Sequence, residues 1–504
     1  MKKTVILFFP LLESNNVASN VPYALLYLER MIRHLEINII LIDERLTKDY
    51  EKIIEDNANN LLFAGVSSMI GYQITGAIKF SKKVKSVSSS PIIWGGWFPT
   101  VFPEMILKEN YVDYICIGQG EIPFQMFTEH LLNQKNVDEI NGIGYKTNNE
   151  LKINFASKLS NPINYPKINF DLIDINALIN YNGKVETGFR GIDYIATLGC
   201  PHNCAFCNLV YIFGRSWFPK EVNEIITDLK YFKSKYDISY VSFSDDNFFA
   251  NKKFILELCN SIIDSELNIE WEANANPNSF LKTFSDEDIN IIHKSGCKKI
   301  KIGAESGDQE ILDLINKKTF VKNNLEIVRK LNKHNIDIRY FTMVCFPINP
   351  DKDFKMTLNL IGKAKLINRN LDVNINLFKP IPKTELYDLC LKHGFKYPEN
   401  TDDLIVFFAN KFTAPWYKSD YHKQLDDFIN FYLPFTNPFF FMKFPLKLRL
   451  FAFILNIVIF PILFLRIKLN FMKFPFEARL FKKMISSGLD NNYLNSVSTF
   501  KSRN

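Results

Sequence analysis

Three cysteines in one short segment carry the clearest chemical signal of the sequence. Cys200, Cys204 and Cys207 stand in a C-x3-C-x2-C spacing, although the chain has only 8 cysteines in 504 residues. Cysteine thiolates are the usual ligands of iron–sulfur clusters. Three thiolates on a four-iron cluster leave one iron open, and an open iron can bind and activate a small molecule. The spacing therefore predicts a cluster that takes part in chemistry.

A structural zinc site is the alternative for these cysteines. Zinc normally takes four nitrogen or sulfur ligands, often in two closely spaced pairs. His202 lies within the segment, but the sequence contains no second C-x2-C pair. The other five cysteines are scattered along the chain, which indicates a reduced, cytoplasmic compartment rather than a disulfide framework. The iron–sulfur interpretation is therefore favoured.

The cysteine segment follows the first of six predicted strands in the second half of the chain. These strand patterns cover residues 194–197, 240–244, 269–273, 299–302, 338–344 and 373–378. Helical patterns separate them, so residues 191–395 are expected to form a partial, six-unit β/α barrel. Active sites of such barrels lie at the C-terminal ends of the strands, which is where the cysteine segment begins.

Residues 1–145 show a second alternation of short apolar runs and helical patterns, which predicts a parallel sheet with crossover helices. The runs cover residues 4–9, 37–42, 61–67, 91–94 and 114–117. Ligands of open α/β sheets bind beyond the carboxyl ends of the strands, and glycine there admits close approach of a ligand to the backbone. The candidate binding residues at these ends are Ser67, Ser68, Gly95, Gly96, Gly118, Gly120 and Glu121. Tight turns are the alternative explanation for each glycine.

Two segments, one between the predicted domains and one after the barrel, differ in composition from the rest of the chain. Residues 146–190 are expected to form a linker with a hairpin near 142–153, and residues 396–504 a helical, aromatic and basic extension.

The positive charge of the chain is concentrated in this extension. The formal net charge is +7, and the region from residue 440 onward contributes +9, with eleven Lys and Arg against two Asp and Glu. An apolar run over 450–465 is short for a bilayer span. Two interpretations stay open: an anchor on the inner face of the membrane, or a helical cap or lid on the barrel.

The cysteine motif after a first barrel strand resembles the radical S-adenosylmethionine (SAM) superfamily. The resemblance implies that Cys200, Cys204 and Cys207 hold a 4Fe-4S cluster whose open iron binds SAM. Reductive cleavage of SAM then yields a 5′-deoxyadenosyl radical. Phe206, between the last two ligands, would shield the cluster and contact the adenine.

Two further segments match the pattern of that superfamily. Asp245, Asp246 and Asn247 follow the second barrel strand, and the resemblance places them near the amino group of SAM; helix capping is the alternative. A second set follows the fourth strand and would contact the ribose and carboxylate: Gly303, Glu305 and Ser306.

The domain ahead of the barrel resembles the Rossmann-like, cobalamin-binding domain of one radical SAM subgroup. The segment Trp94-Gly-Gly-Trp-Phe-Pro-Thr100 fits that subgroup. The histidine loop that ligates cobalt in other cobalamin proteins is absent, since residues 9–22 contain no histidine. The resemblance therefore implies cobalamin bound without a protein histidine ligand, and a degenerate domain that binds nothing is the alternative.

The predicted fold is α/β, with a Rossmann-like sheet, a partial barrel and a helical C-terminal extension. The predicted function is a cobalamin-dependent radical SAM methyltransferase acting on an unactivated carbon of a hydrophobic small molecule or lipid. An external electron donor such as flavodoxin or ferredoxin is expected. Nucleic acid is not, because residues 1–439 carry a net charge of −2. The rivals are a radical oxidative cyclase or rearrangement enzyme, and a non-catalytic membrane-associated protein with a relic cluster.

Overall fold

Two sheets of largely parallel strands organise the chain. The computed structural model describes residues 2–11, 20–133, 136–147, 150–155, 159–182, 190–409, 412–429, 433 and 446–469. The first sheet belongs to the N-terminal domain and the second to the barrel, as the sequence predicts.

The first sheet has seven strands in the order β2-β1-β3-β4-β5-β6-β7. β1 to β5 are parallel, and the hairpin β6–β7 adds to the edge of β5 in antiparallel fashion, so the sheet continues to Ile153. The strands are β1 Thr4–Phe9, β2 Asn38–Asp43, β3 Leu61–Ser67, β4 Ile92–Gly95, β5 Tyr114–Cys116, β6 Ile143–Lys146 and β7 Leu151–Ile153. The helices are α1 Tyr23–Ile32, α2 Tyr50–Asn57, α3 Gln73–Val87, α4 Trp97–Val101, α5 Pro103–Leu107 and α6 Glu121–Asn133.

The second sheet has six parallel strands in the order β15-β14-β13-β12-β11-β8, which confirms the six-unit partial barrel. A separate two-stranded ribbon pairs β9 with β10. The strands are β8 Gly191–Tyr194, β9 Thr197–Gly199, β10 Trp217–Pro219, β11 Tyr240–Phe243, β12 Glu270–Ala275, β13 Cys297–Glu305, β14 Asp337–Val344 and β15 Asp372–Leu377. The helices before and between them are α7 Ile175–Asn182, α8 Leu209–Phe213, α9 Val222–Tyr236, α10 Lys252–Asp264, α11 Pro277–Thr283, α12 Asp286–Lys294, α13 Gln309–Leu314, α14 Val321–Lys333 and α15 Pro350–Ile367.

One buried aspartate fastens the two domains together. Asp193 on β8 accepts a hydrogen bond from the Val21 backbone N–H at 2.8 Å, and the Tyr23 hydroxyl donates to the Asp193 carbonyl at 3.0 Å. Val21 and Tyr23 stand at the start of α1, and both are buried in the core of the barrel. The first domain is therefore held at the beginning of the barrel, next to the strand that leads to the cysteines.

Among the described residues, four helices follow the barrel: α16 Glu385–Lys392, α17 Thr401–Ala409, α18 Tyr421–Asp427 and α19 Leu446–Leu469. α18 packs its buried Tyr421 and Leu425 against the outer layer of β14, α15 and β15. Within the described ranges, no helix combines the length and the hydropathy that crossing a membrane requires. Residues 470–504 lie outside the described residues.

Candidate active site

The three cysteines lie on a loop that two short strands close at its base. β9 ends at Gly199, immediately before Cys200, and pairs there with Trp217 of β10. Gly199 has a φ of +84°, and a Cβ at this position would lie 2.4 Å from the Ser216 carbonyl oxygen. Glycine is therefore required where the chain enters the cysteine loop, because any side chain would displace the closing strand.

The loop is also fastened to the region after α13. The Ala205 N–H donates to the Ile315 carbonyl at 2.9 Å, and the Asn316 side-chain amide donates to the Asn203 carbonyl at 2.7 Å. The Leu386 N–H at the start of α16 donates in turn to the Ala205 carbonyl at 2.9 Å. These bonds fix the middle of the loop, between Cys200 and Cys207, in one backbone conformation.

The three thiols are free and half-buried. Burial raises the pKa of Cys200 and of Cys204, and it raises the pKa of Cys207 to about 12. A thiol in such surroundings becomes a thiolate only beside a cation, and the irons of a cluster provide that charge. The donor set, three cysteines on one fixed loop, thus fits a 4Fe-4S cluster with one open iron.

A buried ion pair stands next to the cysteine loop. Lys317 Nζ donates to Glu305 Oε1 at 2.7 Å, and both side chains are only 10% exposed. The same ammonium lies 5.9 Å from the centre of the Phe206 ring. Burial alone would lower the pKa of Lys317, but Glu305 and then Cys204 raise it on balance, so the lysine is charged. A fixed positive charge therefore faces the cysteines.

Gly303 makes room for that pair. A Cβ at Gly303 would lie 2.6 Å from Glu305 Oε1 and 2.7 Å from Lys317 Nζ. Glu305 itself has a φ of +56°, which directs its side chain back over the end of β13. Gly303 and the carboxylate of Glu305 thus lie next to each other. Both residues are predicted to contact SAM, and that contact stays a prediction.

The two neighbouring aspartates after β11 have different surroundings. Asp245 is buried, and its carboxylate accepts hydrogen bonds from the backbone N–H groups of Ala196 and Thr197, three to four residues before Cys200. Burial raises its pKa to about 7. Asp245 therefore positions the strand that carries the cysteine loop, a role that the sequence did not reveal.

Asp246 is exposed, unlike Asp245. Enough protein still surrounds its carboxyl to raise its pKa to about 6, and the Gly199 N–H offsets part of that effect. After burial, the charge of Asp246 is one of the smaller causes that raise the pKa of Cys200 and Cys207. A contact of this acidic group with the cationic amine of SAM stays a prediction.

Several buried polar atoms around the loop lack a hydrogen-bond partner among the described residues. They are Asn208 Nδ2 and both side-chain polar atoms of Asn247. Trp217 Nε1 donates to the Asn247 carbonyl at 3.1 Å, which fixes this residue against the ribbon. Buried polar groups in proteins are nearly always paired. These unpaired atoms beside the cysteines fit the polar groups of a bound SAM molecule.

Ser306 does not face the loop. Its hydroxyl is fully buried and donates to Asp353 Oδ1 at 2.6 Å, within a network that also contains Thr357 and the Cys345 N–H. This network ties the end of β13 to α15. The predicted contact of Ser306 with a cofactor stays a prediction, and the side chain already has protein partners.

The strand ends of the first domain form a continuous hydrogen-bonded rim. The Ser68 N–H donates to the Gly95 carbonyl at 2.9 Å, and the Thr100 hydroxyl links the Gly96 carbonyl at 2.7 Å to the Gly118 N–H at 3.1 Å. Gly96 has a φ of +95°, and a Cβ there would lie 2.8 Å from the Ser68 carbonyl oxygen. Three loops that carry predicted cobalamin contacts therefore form one rim.

Other predicted contacts of the first domain are half-buried or paired. Ser67, Gly118 and Gly120 are half-buried at the strand ends. Glu121 begins α6 and pairs with Arg30 of α1 at 3.4 Å, with both side chains buried. The Arg30 guanidinium also lies over Tyr27 at 4.7 Å and over Tyr165 at 5.2 Å.

A partly open cavity separates this part of the first domain from the barrel. Tyr27, Arg30 and Glu121 line one side, while Thr197 and Leu198 of β9 line the other. Arg30 Nε has no hydrogen-bond partner among the described residues, although it is buried. The cavity thus reaches from the first domain to within two residues of Cys200, and its unpaired donor is available to a ligand between the two domains.

The described residues contain no group of three or more histidine, cysteine or acidic side chains placed to hold a single metal ion. His202 approaches Ser279 Oγ at 3.3 Å, and burial lowers its pKa.

Sequence reasoning missed Lys317 and Arg30. The chain has 61 lysine and arginine residues, and most of them are expected on solvated surfaces. Their burial depends on contacts with distant segments, Glu305 for Lys317 and Glu121 for Arg30. The sequence around each residue does not indicate these contacts.

Comparison with protein families identifies both domains. Residues 194–361 match the radical SAM superfamily, and residues 18–127 match the B12 binding domain. Together these regions cover the cysteine loop, the Lys317–Glu305 pair and the hydrogen-bonded rim.

The chain is also similar to several named proteins and solved structures. An uncharacterized methyltransferase of Pyrococcus horikoshii is 25% identical over 382 residues, which are 74% of this chain and 79% of the relative. The anaerobic magnesium-protoporphyrin IX monomethyl ester cyclase of a Synechocystis species is 22% identical over 269 residues, 53% of this chain and 52% of the relative. Among solved structures, the cobalamin-dependent SAM radical enzyme OxsB superposes with a TM-score of 0.73 at 17% identity, covering 99% of this chain and 79% of that one.

Proposed function

Because the chain belongs to the radical SAM superfamily, in the subgroup with an N-terminal B12-binding domain, we propose that it transfers a methyl group from SAM, by way of cobalamin, to an unactivated carbon. The observation that carries this proposal is the shared cavity. Residues of the B12-binding domain line one wall, and the strand leading to Cys200 lines the other. If both cofactors bind at this shared cavity, they can act on the same substrate carbon.

When bound, the cofactors would supply the reactive species: the cluster would provide the electron that cleaves SAM, and cobalamin would carry the methyl group. The protein holds and orients them. Cys200, Cys204 and Cys207 would ligate three irons, while the charged Lys317 compensates the negative thiolates. Asp246 would bind the amino group of SAM. The two unpaired side-chain polar atoms of Asn247 would form hydrogen bonds with the same SAM molecule.

The lining of the cavity mixes apolar and charged side chains. Tyr27, Leu198 and Phe218 contribute apolar surface, and Lys220 and Glu224 add charge. Bound cofactors and substrate would have to exclude the remaining water, because a carbon radical is open to side reactions with solvent. Residues 162 and 163 also belong to the lining, so the linker contributes to the cavity as well as connecting the domains.

For the substrate we infer a hydrophobic small molecule or lipid, and for the partner an electron donor of the flavodoxin or ferredoxin class. The apolar cavity wall supports the first inference. The relative in Synechocystis acts, by its name, on magnesium-protoporphyrin IX monomethyl ester.

The test is product analysis with SAM labelled in its methyl group. The purified enzyme, reconstituted anaerobically, is incubated with candidate apolar substrates and a chemical reductant. Transfer of the intact labelled methyl group into product is the expected result. The triple variant Cys200→Ala/Cys204→Ala/Cys207→Ala should form no labelled product, and full activity in that variant would refute a radical mechanism.

An oxidative cyclisation is the second candidate, since the chain is also similar to an anaerobic cyclase. The same experiment separates the two reactions. A cyclase would form 5′-deoxyadenosine and an unlabelled product that has lost hydrogen, whereas the methyltransferase forms a product heavier by one labelled methyl group.

A further inference from the structure

The last described helix turns an apolar face outward. Seven large apolar side chains of α19 are at least 39% exposed: Leu450, Phe453, Ile454, Ile457, Ile462, Leu465 and Leu469. In a helix of 3.6 residues per turn, Leu450, Ile454, Ile457 and Leu465 fall on one side. Ile459 and Arg466 are buried and fall on the opposite side. The helix thus has a distinct inner and outer face.

The inner face is packed on the barrel. α19 contacts α15, which itself packs against β14. The guanidinium of Arg369, just beyond the end of α15, lies 4.4 Å from the centre of the Phe460 ring. The orientation of α19 is therefore set by the catalytic domain, and its apolar outer face points away from it.

Such a face needs a partner. Monomeric proteins rarely expose contiguous apolar patches as large as a row of seven side chains along one helix. At 1.5 Å per residue, the 24 residues of Leu446–Leu469 extend over about 36 Å. A row of this length suits an extended apolar surface rather than a compact pocket.

We propose that the outer face of α19 docks on an anionic lipid bilayer, with the helix axis in the plane of the membrane. Charge complementarity favours this occupant. Lys468 is exposed at the C-terminal end of the same face, and the chain from residue 440 onward has eleven basic and two acidic residues. Anionic headgroups attract such a segment, while the apolar side chains enter the acyl boundary.

A second copy of the chain fits this face less well. Two such basic helices would bring like charges together, whereas lipid headgroups would neutralise them. The in-plane orientation follows from the apolar row, which occupies one side of the helix and leaves Arg466 on the other. The docking does not depend on methyl transfer, so either proposal can fail alone.

Vesicle flotation of the full-length, reconstituted protein tests the docking. We expect binding to vesicles of mixed phosphatidylcholine and phosphatidylglycerol, and binding more than about tenfold weaker to pure phosphatidylcholine. Added salt should weaken binding to the anionic vesicles. Equal binding to both vesicle types, or to neither, would overturn the proposal.

A double variant tests the face itself. Ile457→Glu/Leu465→Glu places charges on two side chains that are each 54% exposed, and it should reduce vesicle binding at least about tenfold. Val406→Glu is the matched control, since Val406 is 56% exposed on α17, and this variant should bind as the wild type does. Iron content and the visible spectrum report that each variant is folded, independently of lipid.

Two outcomes would contradict the docking. The double variant could float with anionic vesicles as well as the wild type does, which would exclude this face. Alternatively, size-exclusion chromatography without lipid could show a dimer that the double variant abolishes, and the occupant would then be a second copy. If the glutamate pair prevents folding, Ile457→Ser/Leu465→Ser removes the apolar groups without adding charge and should still weaken vesicle binding.

Discussion

Lys317 donates a hydrogen bond to Glu305 at 2.7 Å, and this buried pair stands beside the loop that carries the three cysteines. The contact joins the end of β13 to the segment after α13, which also holds the cysteine loop through Ile315 and Asn316. One local structure therefore positions the loop and places a buried positive charge beside it.

Removal of Lys317 should destabilise the protein strongly. Lys317→Met leaves the buried Glu305 carboxylate without its partner, which typically costs about 3–5 kcal/mol. The measurement is the free energy of unfolding in urea. Lys333→Met is the control, because Lys333 pairs with Asp286 at a surface site where such a pair contributes under about 1 kcal/mol. The double variant Lys317→Met/Glu305→Gln should recover much of the loss, and failure to recover would contradict the pairing.

Gly199→Ala should damage the cysteine loop specifically. The new Cβ would meet the Ser216 carbonyl oxygen at 2.4 Å, and the φ of +84° adds strain of about 1–3 kcal/mol. We expect less iron per chain after anaerobic reconstitution. Gly191→Ala is the control, since its nearest contact would be an ordinary 3.6 Å from Tyr240. Equal iron retention by both variants would show that the entry to the loop tolerates a side chain.

The stability of the protein should depend on pH through Asp353. Burial raises the pKa of this carboxyl from 3.8 to about 6. Because the folded state then binds the proton more tightly than the unfolded state, this group contributes stability at low pH that is lost as the pH rises from about 4 to about 6. Asp353→Asn should remove this part of the slope in melting temperature against pH. Asp237→Asn, at an exposed position, is the control and should leave the slope unchanged. An unchanged slope in Asp353→Asn would contradict the effect of burial.

Much of the first sheet could be predicted from apolar runs alone. The runs at 4–9 and 61–67 coincide with β1 and β3, because strands buried on both faces are continuous apolar segments. The first barrel strand was predicted at 194–197, whereas Gly191–Tyr194 forms the sheet strand and Thr197–Gly199 belongs to the ribbon with β10. The apolar run covers parts of both, and only the pairing with Trp217–Pro219 separates them.

The parts of the site whose chemistry depends on residue type were predictable from the sequence. The parts that depend on contacts between distant segments were less predictable. The cysteine spacing indicated the cluster without any structure. Asp245 also binds the backbone before the loop, and Ser306 bonds to Asp353; the local sequence does not indicate these contacts, and the predicted cofactor contacts of both residues stay predictions. Lys317 gave no signal, since its buried environment depends on the pairing with the distant Glu305.

We infer that this chain binds a SAM-cleaving cluster and a corrinoid on either side of one cavity. Anaerobic reconstitution with iron, sulfide and hydroxocobalamin tests it most directly, with iron content and the visible spectrum as readouts. We predict about four irons and one corrinoid per chain, and a Cys200→Ala/Cys204→Ala/Cys207→Ala variant that loses the iron but keeps the corrinoid. A wild-type chain that retains no corrinoid, or a triple variant that retains its iron, would contradict the claim.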